Sequence, residues 1–357
     1  MRCHPGLWIA LLTLIAILGC GPKTWRQRGT LTGHADKVRG IAINKNGDRG
    51  VSVADDRRAY IWDLKSSAAL YLLEEHAKEV VSVEWKPDGM QLATGSRDGT
   101  AILWDTNSGA AKFRLQVGDS GLAVGGLRYT IKGDSLITGG VGLPVAIWDT
   151  AKGEPTGQFI DCMNAKDFLM TPDEKSVVIV GFTSPPALYD LTNRAKRLEY
   201  KGSIAAAAAI SPDGTLTAAY MPDHTVQTWL TETGLKERTC EGLTNEGHAL
   251  AFSPDSRYLA AGDMDGTVVV WDVAAGTKVS DLHGQEMDVA LVVWSPDGAW
   301  LAVGSNDPHA TLWDAKTWEN IATITHTDAV PFLAFSPDST TLVTGSYDTT
   351  LQVWQYR

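Results

Sequence analysis

Three sets of residues in this 357-residue chain have the makeup of a hydrolytic site. His34, Ser52 and Asp56 are spaced like His76, Thr94 and Asp98, and like His326, Thr344 and Asp348. Each set is followed six residues later by a tryptophan, Trp62, Trp104 or Trp354. A histidine with a hydroxyl and a carboxylate can form a nucleophilic triad, in which the imidazole takes the hydroxyl proton and the carboxylate orients the ring. A catalytic set occurs once, whereas this one returns with a period. The same groups therefore read as structural, since a lone buried Asp or His costs more than it returns unless its partners satisfy it.

Other candidates for chemistry are weaker. Asp263-Met264-Asp265-Gly266 begins like a calcium loop, but the twelfth loop position is Ala274, where a bidentate Glu is needed. Gly139-Gly140-Val141-Gly142 precedes a strand pattern, so no helix N-terminus is available there to hold phosphate. The chain has no GxSxG, no GxxxxGK followed by Ser or Thr, no HExxH and no GxGxxG after a strand. No catalytic residue, metal or cofactor is expected. Asp and Glu number 42 against 31 Lys and Arg, a net charge of −11. That field, without any basic run, repels a phosphate backbone, and nucleic acid is not expected as a partner. Four cysteines without CxxC spacing exclude a disulfide framework or a zinc ribbon.

The elements that position these residues repeat. With 44% hydrophobic and 20% charged residues the chain has a large core to bury. From residue 25 an apolar strand ending in Trp-Asp, or a near variant, recurs eight times. Its aromatics are Trp62, Trp104, Trp148, Tyr189, Trp229, Trp271, Trp313 and Trp354, at intervals of 40 to 44 residues. Pro-Asp turn signals stand upstream, among them KPDG at 86–89, TPDE at 171–174 and SPDG at 211–214 and 295–298. Alternating runs such as Val81-Val83-Trp85 predict strands, and helical periodicity is absent outside the first twenty residues.

With a Gly-His near its start, an Asp turn and a closing Trp-Asp, the unit resembles the WD40 repeat over residues 25–357. The resemblance implies an all-β propeller with one blade per repeat. It also implies that the three sets above, each with its tryptophan, are buried tetrads tying the strands of a blade. The turn Asp is present as Asp56, Asp98, Asp223, Asp265, Asp307 and Asp348, and is replaced by Gly142 and Thr183 in the third and fourth repeats. The fourth repeat ends in Tyr189-Asp190, carries Pro185-Pro186 and has no histidine, so a distorted blade is expected, or else one reshaped by a ligand. Only three residues follow Trp354, too few for an outer strand, and residues 25–32 look like the missing one. The expectation is an eight-bladed monomeric propeller closed by its N-terminal strand, which hides the edges of an open array. The alternative is seven blades with the fourth repeat extruded. Trp85, Trp294 and Trp300 are expected to pack between blades.

Residues 1–20, MRCHPGLWIALLTLIAILGC, have the order of an export signal. The apolar run from Leu7 to Leu18 would cover about 18 Å as a helix, short of a hydrocarbon core of roughly 30 Å. Ile17-Leu18-Gly19-Cys20 resembles the bacterial lipobox. That resemblance implies removal of residues 1–19, diacylglycerol on Cys20 and a tether over 20–24. It places the protein in the bacterial cell envelope, at the outer membrane if the host has one. An uncleaved short anchor or an ordinary secretory signal is the alternative. Cys162 and Cys240, two repeats apart, are expected as buried small hydrophobes.

Without a reaction motif, function falls to the surface. Propellers of this family commonly receive partners on the face carrying the turns between second and third strands. The residues just before the turn Asp are Asp55, Arg97, Val141, Phe182, Pro222, Met264, Asn306 and Tyr347. Arg97, Val141, Phe182, Met264, Asn306 and Tyr347 form the candidate partner face, and the four apolar or aromatic ones would be unusual on a wet rim. The expected function is a non-enzymatic, membrane-anchored scaffold that binds a protein or peptide outside the cytoplasm. One alternative is an extracytoplasmic enzyme or metabolite sensor, with a metal held by carboxylates in the central channel. The other is an envelope-assembly accessory lipoprotein, by architectural likeness only to the lipid-anchored eight-bladed propeller of outer-membrane barrel assembly.

Overall fold

A computed structural model describes residues 23–202 and 207–357, apart from the side chains of 160 and 161. The repeats fold into eight four-stranded antiparallel sheets, the blades. Blade 1 spans 38–73, blade 2 80–116, blade 3 126–163, blade 4 165–199, blade 5 208–240, blade 6 249–283 and blade 7 289–325. Blade 8 combines 332–356 with the N-terminal strand Trp25–Leu31. The first strand of every blade packs on that of the next, and blade 8 returns to blade 1, so the ring is closed. The seven-bladed alternative is thereby overturned.

Second strands such as Gln91–Ser96 and Ser176–Gly181 are buried along their whole length, because a neighbouring blade covers each face. Outer strands such as Lys236–Cys240 keep only one end buried. At the Pro-Asp turns Gly214 takes φ +74° beside Pro172 of the neighbouring blade, where a Cβ would lie 2.7 Å from the proline ring. Trp85 and Trp294 donate across the blade boundary to the carbonyls of Ala42 and Ala251, both at 3.2 Å. Blade 4 keeps its place in the ring, but its third and outer strands, Ala187–Asp190 and Lys196–Glu199, are four residues long because the third begins only after Pro186. Cys162 and Cys240 are buried free thiols, and burial pushes the Cys240 thiol up to about 11.

Closure runs from Trp25 opposite Tyr356 to Leu31 opposite Leu351, with a bulge between Gln27 and Gly29. Thr24 and Arg357 exchange two further backbone bonds, of 2.9 and 3.1 Å. The ladder therefore begins one residue inside the expected 20–24 tether and ends at Leu31; Cys20 lies outside the described residues. Strand direction alternates within a blade. The turns between second and third strands, and the segments entering each first strand, share one rim, here the upper. The Pro-Asp turns and the described ends of the chain share the lower rim.

Candidate functional site

Beneath the upper rim lie the histidine ties. His34 bonds Asp56 at 2.9 Å and Ser52 at 2.7 Å, and Trp62 donates its indole N–H to Ser52 at 2.8 Å. His76 repeats this with Asp98 at 3.0 Å and Thr94 at 2.8 Å, and Trp104 donates to Thr94 at 2.8 Å. Asp56 and Asp98 also accept the N–H of the residue after the histidine, Ala35 or Ala77. One carboxylate thus holds the entry segment to the turn. In blade 8, His326 bonds Asp348 at 3.1 Å and Thr344 at 2.9 Å, but Trp354 does not join the set. Its indole turns to Gln352 Oε1 at 3.2 Å, an acceptor two residues earlier on the same strand face.

Burial pushes the His76 and His326 imidazoles below their usual range. For Asp348 burial acts upward but is outweighed by bonds from Thr350 and the Thr327 backbone, which hold the carboxyl down at about 2. Acid therefore destabilises in two stages. As pH falls below about 6.5 the unfolded histidines take up protons that the folded ones resist. Below 3.8 the unfolded carboxylates protonate first, and the contribution of Asp348 is lost as pH falls towards about 2. Urea unfolding is expected to show a lower midpoint at pH 5.5 than at pH 7.5; equal midpoints would contradict neutral buried imidazoles.

Other blades make the tie differently. In blade 3, Trp148 donates to Thr138 at 2.9 Å, without a histidine. In blade 6 the calcium-like stretch is a turn. Asp263, wholly buried, accepts the backbone N–H groups of Asp265 and Thr267 and the hydroxyl of Thr244 at 3.2 Å. In blade 7, Gln285 takes the place of the histidine and donates to Thr311 at 3.0 Å, which also accepts from Trp313 at 2.9 Å. The absent histidines are legible in sequence. So is Gln285, which stands at the histidine position 28 residues before Trp313, whereas Asp263 and Thr311 lie two and eight residues from the motif positions 265 and 303.

On the upper rim, Asp55, Arg97, Phe182, Met264, Asn306 and Tyr347 each donate their backbone N–H to an entry segment, to Lys37, Glu79, Asn164, Glu246, Asp288 and Ala329 respectively. This shared bond fixes the backbone and leaves the side chains for display. Val141, Phe182 and Met264 are exposed at 52%, 46% and 44%, and Arg97 and Pro222 are also exposed. Tyr347 is not a free apolar group. Lys37 and Arg39 lie over its ring at 4.9 and 5.0 Å, and Arg39 donates to its hydroxyl at 3.3 Å while also pairing with Asp55. The cations of blade 1 reach the aromatic ring across the blade boundary and cover it. Asn306 is taken up by Asp288, to which its amide donates at 2.8 and 2.9 Å.

Two exposed methionines, Met163 at the end of the outer strand of blade 3 and Met287 in the segment entering blade 7, extend the apolar set. Asn164 fastens the first cluster. Its side-chain oxygen accepts from Gly142 at 2.7 Å, its N–H donates to Leu143 and its carbonyl accepts from Phe182 at 2.8 Å. Val141, Met163 and Phe182 are thus carried on three segments tied at one asparagine. Met264 and Met287 are brought together similarly, since the Gly266 turn lies against the Gln285 and Met287 carbonyls. Turn positions alone could not reveal the methionines, which belong to the segments facing the turns.

In the channel, Arg128 donates to Glu84 at 3.2 Å and to the Phe168 carbonyl at 3.1 Å, and lies 3.6 Å from Asp167. A cavity of about 230 Å³ above them is polar on the blade 2–4 side and apolar at Leu291, Phe332 and Leu333. Burial pushes the Glu84 carboxyl up even against the pull of Arg128. Among the described residues no group of three His, Cys, Asp or Glu could hold a metal ion.

The profile of the WD40 family, described as "WD domain, G-beta repeat", matches residues 25–63, 68–105, 242–272, 276–314 and 318–355, just over half of the chain. The unmatched stretch holds blades 3 to 5, where the motif departs most. The F-box-like/WD repeat-containing protein TBL1X of Mus musculus is 29% identical over 143 residues, covering 36% of this chain and 27% of that protein. The uncharacterized WD repeat-containing protein sll1491 of Synechocystis is 40% identical over 68 residues, covering 19% of this chain and 20% of that protein. The matches therefore span little more than a quarter of these curated relatives. The crystal structure of the computationally designed Ika8 protein superposes with a TM-score of 0.80 at 22% identity, covering 91% of this chain and 98% of that one, a likeness of fold alone.

Proposed function

The chain belongs to the WD40 family, and from that premise we propose that it is a non-enzymatic docking propeller, held at a membrane outside the cytoplasm through Cys20, that binds a protein partner on its upper rim. The observation that carries the docking reading is the exposed cluster of Val141, Met163 and Phe182 tied at Asn164, with Met264 and Met287 further along the same rim. Exposed apolar groups on an immobilised backbone suit an interface, because little ordering entropy opposes the contact. Methionine adapts its shape to a partner's side chains. The partner that fits is a protein segment with apolar anchors, not a highly charged one. The membrane half of the reading is supported by the lipobox-like Ile17-Leu18-Gly19-Cys20. The channel-metal reading has no ligand set among the described residues to support it.

Crosslinking with mass spectrometry on native membranes tests the proposal by comparing wild type with a Val141→Asp, Phe182→Asp variant and with Cys20→Ser. Loss of two central anchors is expected to cost about 2 kcal/mol or more, a roughly thirtyfold weaker Kd, and to abolish capture. Both side chains are half exposed, so the unfolding midpoint should stay within about 0.5 kcal/mol of wild type. A partner captured equally by the variant would sink the proposed face. Membrane association that survives Cys20→Ser would sink the anchor.

A further inference from the structure

The direction of the closing strand decides which way such a propeller would stand on a bilayer. Trp25 starts that strand at the lower rim, where Thr24 is bonded to Arg357, and the strand then climbs to Leu31 at the upper rim. Cys20 is only four residues before Thr24, a reach of about 14 Å at full extension. The candidate docking side chains sit a strand length away, about 20 Å.

Two further observations mark the same edge. Trp25, Trp300, Phe335 and Tyr356, all at lower-rim ends of their strands, form one aromatic cluster, with ring centroids 5.1 to 6.1 Å apart. Trp300 and Tyr356 remain half-buried within it, and rings of this amphipathic kind favour the headgroup level of a membrane. Beside the cluster, Lys23, Arg26, Arg28 and Arg357 are exposed, and residues 23–35 contain no Asp or Glu, in a chain whose net charge is −11. Arg26 and Arg28 donate to the neutral partners Thr24 and Gln355, so their charges are not cancelled by those contacts. The turn carboxylates Asp297 and Asp338 on this rim accept from Ser295 and Ser336, which holds them to their own turns and leaves them charged.

We propose that the edge of blade 8 around Trp25 is a membrane-contact surface for anionic lipid headgroups, so that the propeller stands on its lower rim with the docking rim turned away from the bilayer. This orientation rests on the anchor reading for its tether, but the basic and aromatic residues act independently of it. Anionic headgroups attract Lys and Arg within a Debye length, so the contact is salt-sensitive.

The test uses the full chain produced in a diderm bacterium, with vesicles of phosphatidylglycerol and phosphatidylethanolamine. A fluorophore at Gln27→Cys on the lower edge, or at Pro222→Cys on the upper rim, is read against a quencher on the lipid headgroup. Cys162 and Cys240 are buried and do not compete for label. Strong quenching at Gln27 with little at Pro222 is expected, and equal quenching in anchored protein overturns the orientation alone. At high salt, where the headgroup contact is screened, flotation unaffected by Cys20→Ser overturns the anchor reading alone. In Cys20→Ser protein, flotation with pure phosphatidylglycerol vesicles at low salt is expected to fall about tenfold or more on adding Arg26→Glu and Arg28→Glu. Undiminished flotation overturns the lipid-contact surface.

Discussion

A chain carrying Trp25→Ala and Leu31→Ala is expected to lose about 5–10 kcal/mol of stability, from roughly 3–5 for a buried Trp and 2–5 for a buried Leu truncated to Ala. Trp25 is 9% exposed within the aromatic cluster that joins blades 7 and 8, and Leu31 is 1% exposed among Val343, Leu351 and Val353 at the other end of the strand. The two positions lie about 20 Å apart along the strand, far enough for their effects to add. A domain commonly has only about 5–15 kcal/mol in total, so this one strand holds a large share of it. Its release would also bare the third strand of blade 8 as an edge open to aggregation. Denaturant unfolding followed by tryptophan fluorescence measures the loss. A fall below about 2 kcal/mol would mean that the ring stands without its closing strand.

Replacing Asp98 by Ala is expected to cost about 3–5 kcal/mol. Asp98 is 7% exposed and accepts from four donors, His76 Nδ1 at 3.0 Å, Ala77 N at 2.8 Å, Thr100 N at 2.9 Å and the Thr100 hydroxyl at 2.6 Å. Truncation leaves buried donors without partners, each costing about 1–3 kcal/mol less whatever water recovers. Trp354→Phe supplies the contrast. Its bond to Gln352 lies on a half-buried edge, so its loss should cost about 1 kcal/mol or less, whereas Trp104→Phe strips the buried Thr94 of a donor and should cost more. Equal losses for the two tryptophans would contradict the separate wiring of blade 8.

Much of this architecture is legible in the sequence because propeller repeats are local. Blades 1 to 7 are each built from one run of about forty residues, and where the set is complete its His, hydroxyl, Asp and Trp are brought together by two turns whose lengths the spacing reveals. The ties of blades 1 and 2 are those that the resemblance to the WD40 repeat implied. Blade 8 does not follow, because Trp354 bonds Gln352 in place of Thr344, a side-chain pairing that the spacing does not encode. Asp263 and Thr311 were hidden for a related reason. They perform the same task from neighbouring positions, and only three-dimensional proximity reveals the equivalence.

The rim shows the same division. Register identifies Val141, Phe182, Met264 and Tyr347 as residues preceding the turns, since that is a count along one strand. Whether each is displayed depends on the adjoining blade. Arg39 and Lys37 reach over Tyr347 from blade 1, while Asn164 braces the neighbours of Val141 and Phe182 and leaves their side chains outside. Period and repeat number were thus determined by sequence, because they depend on a spacing that returns within each repeat. Exposure, the substitute ties and the rim from which the chain departs were decided only by tertiary structure, because they depend on contacts between segments that no spacing in the chain encodes.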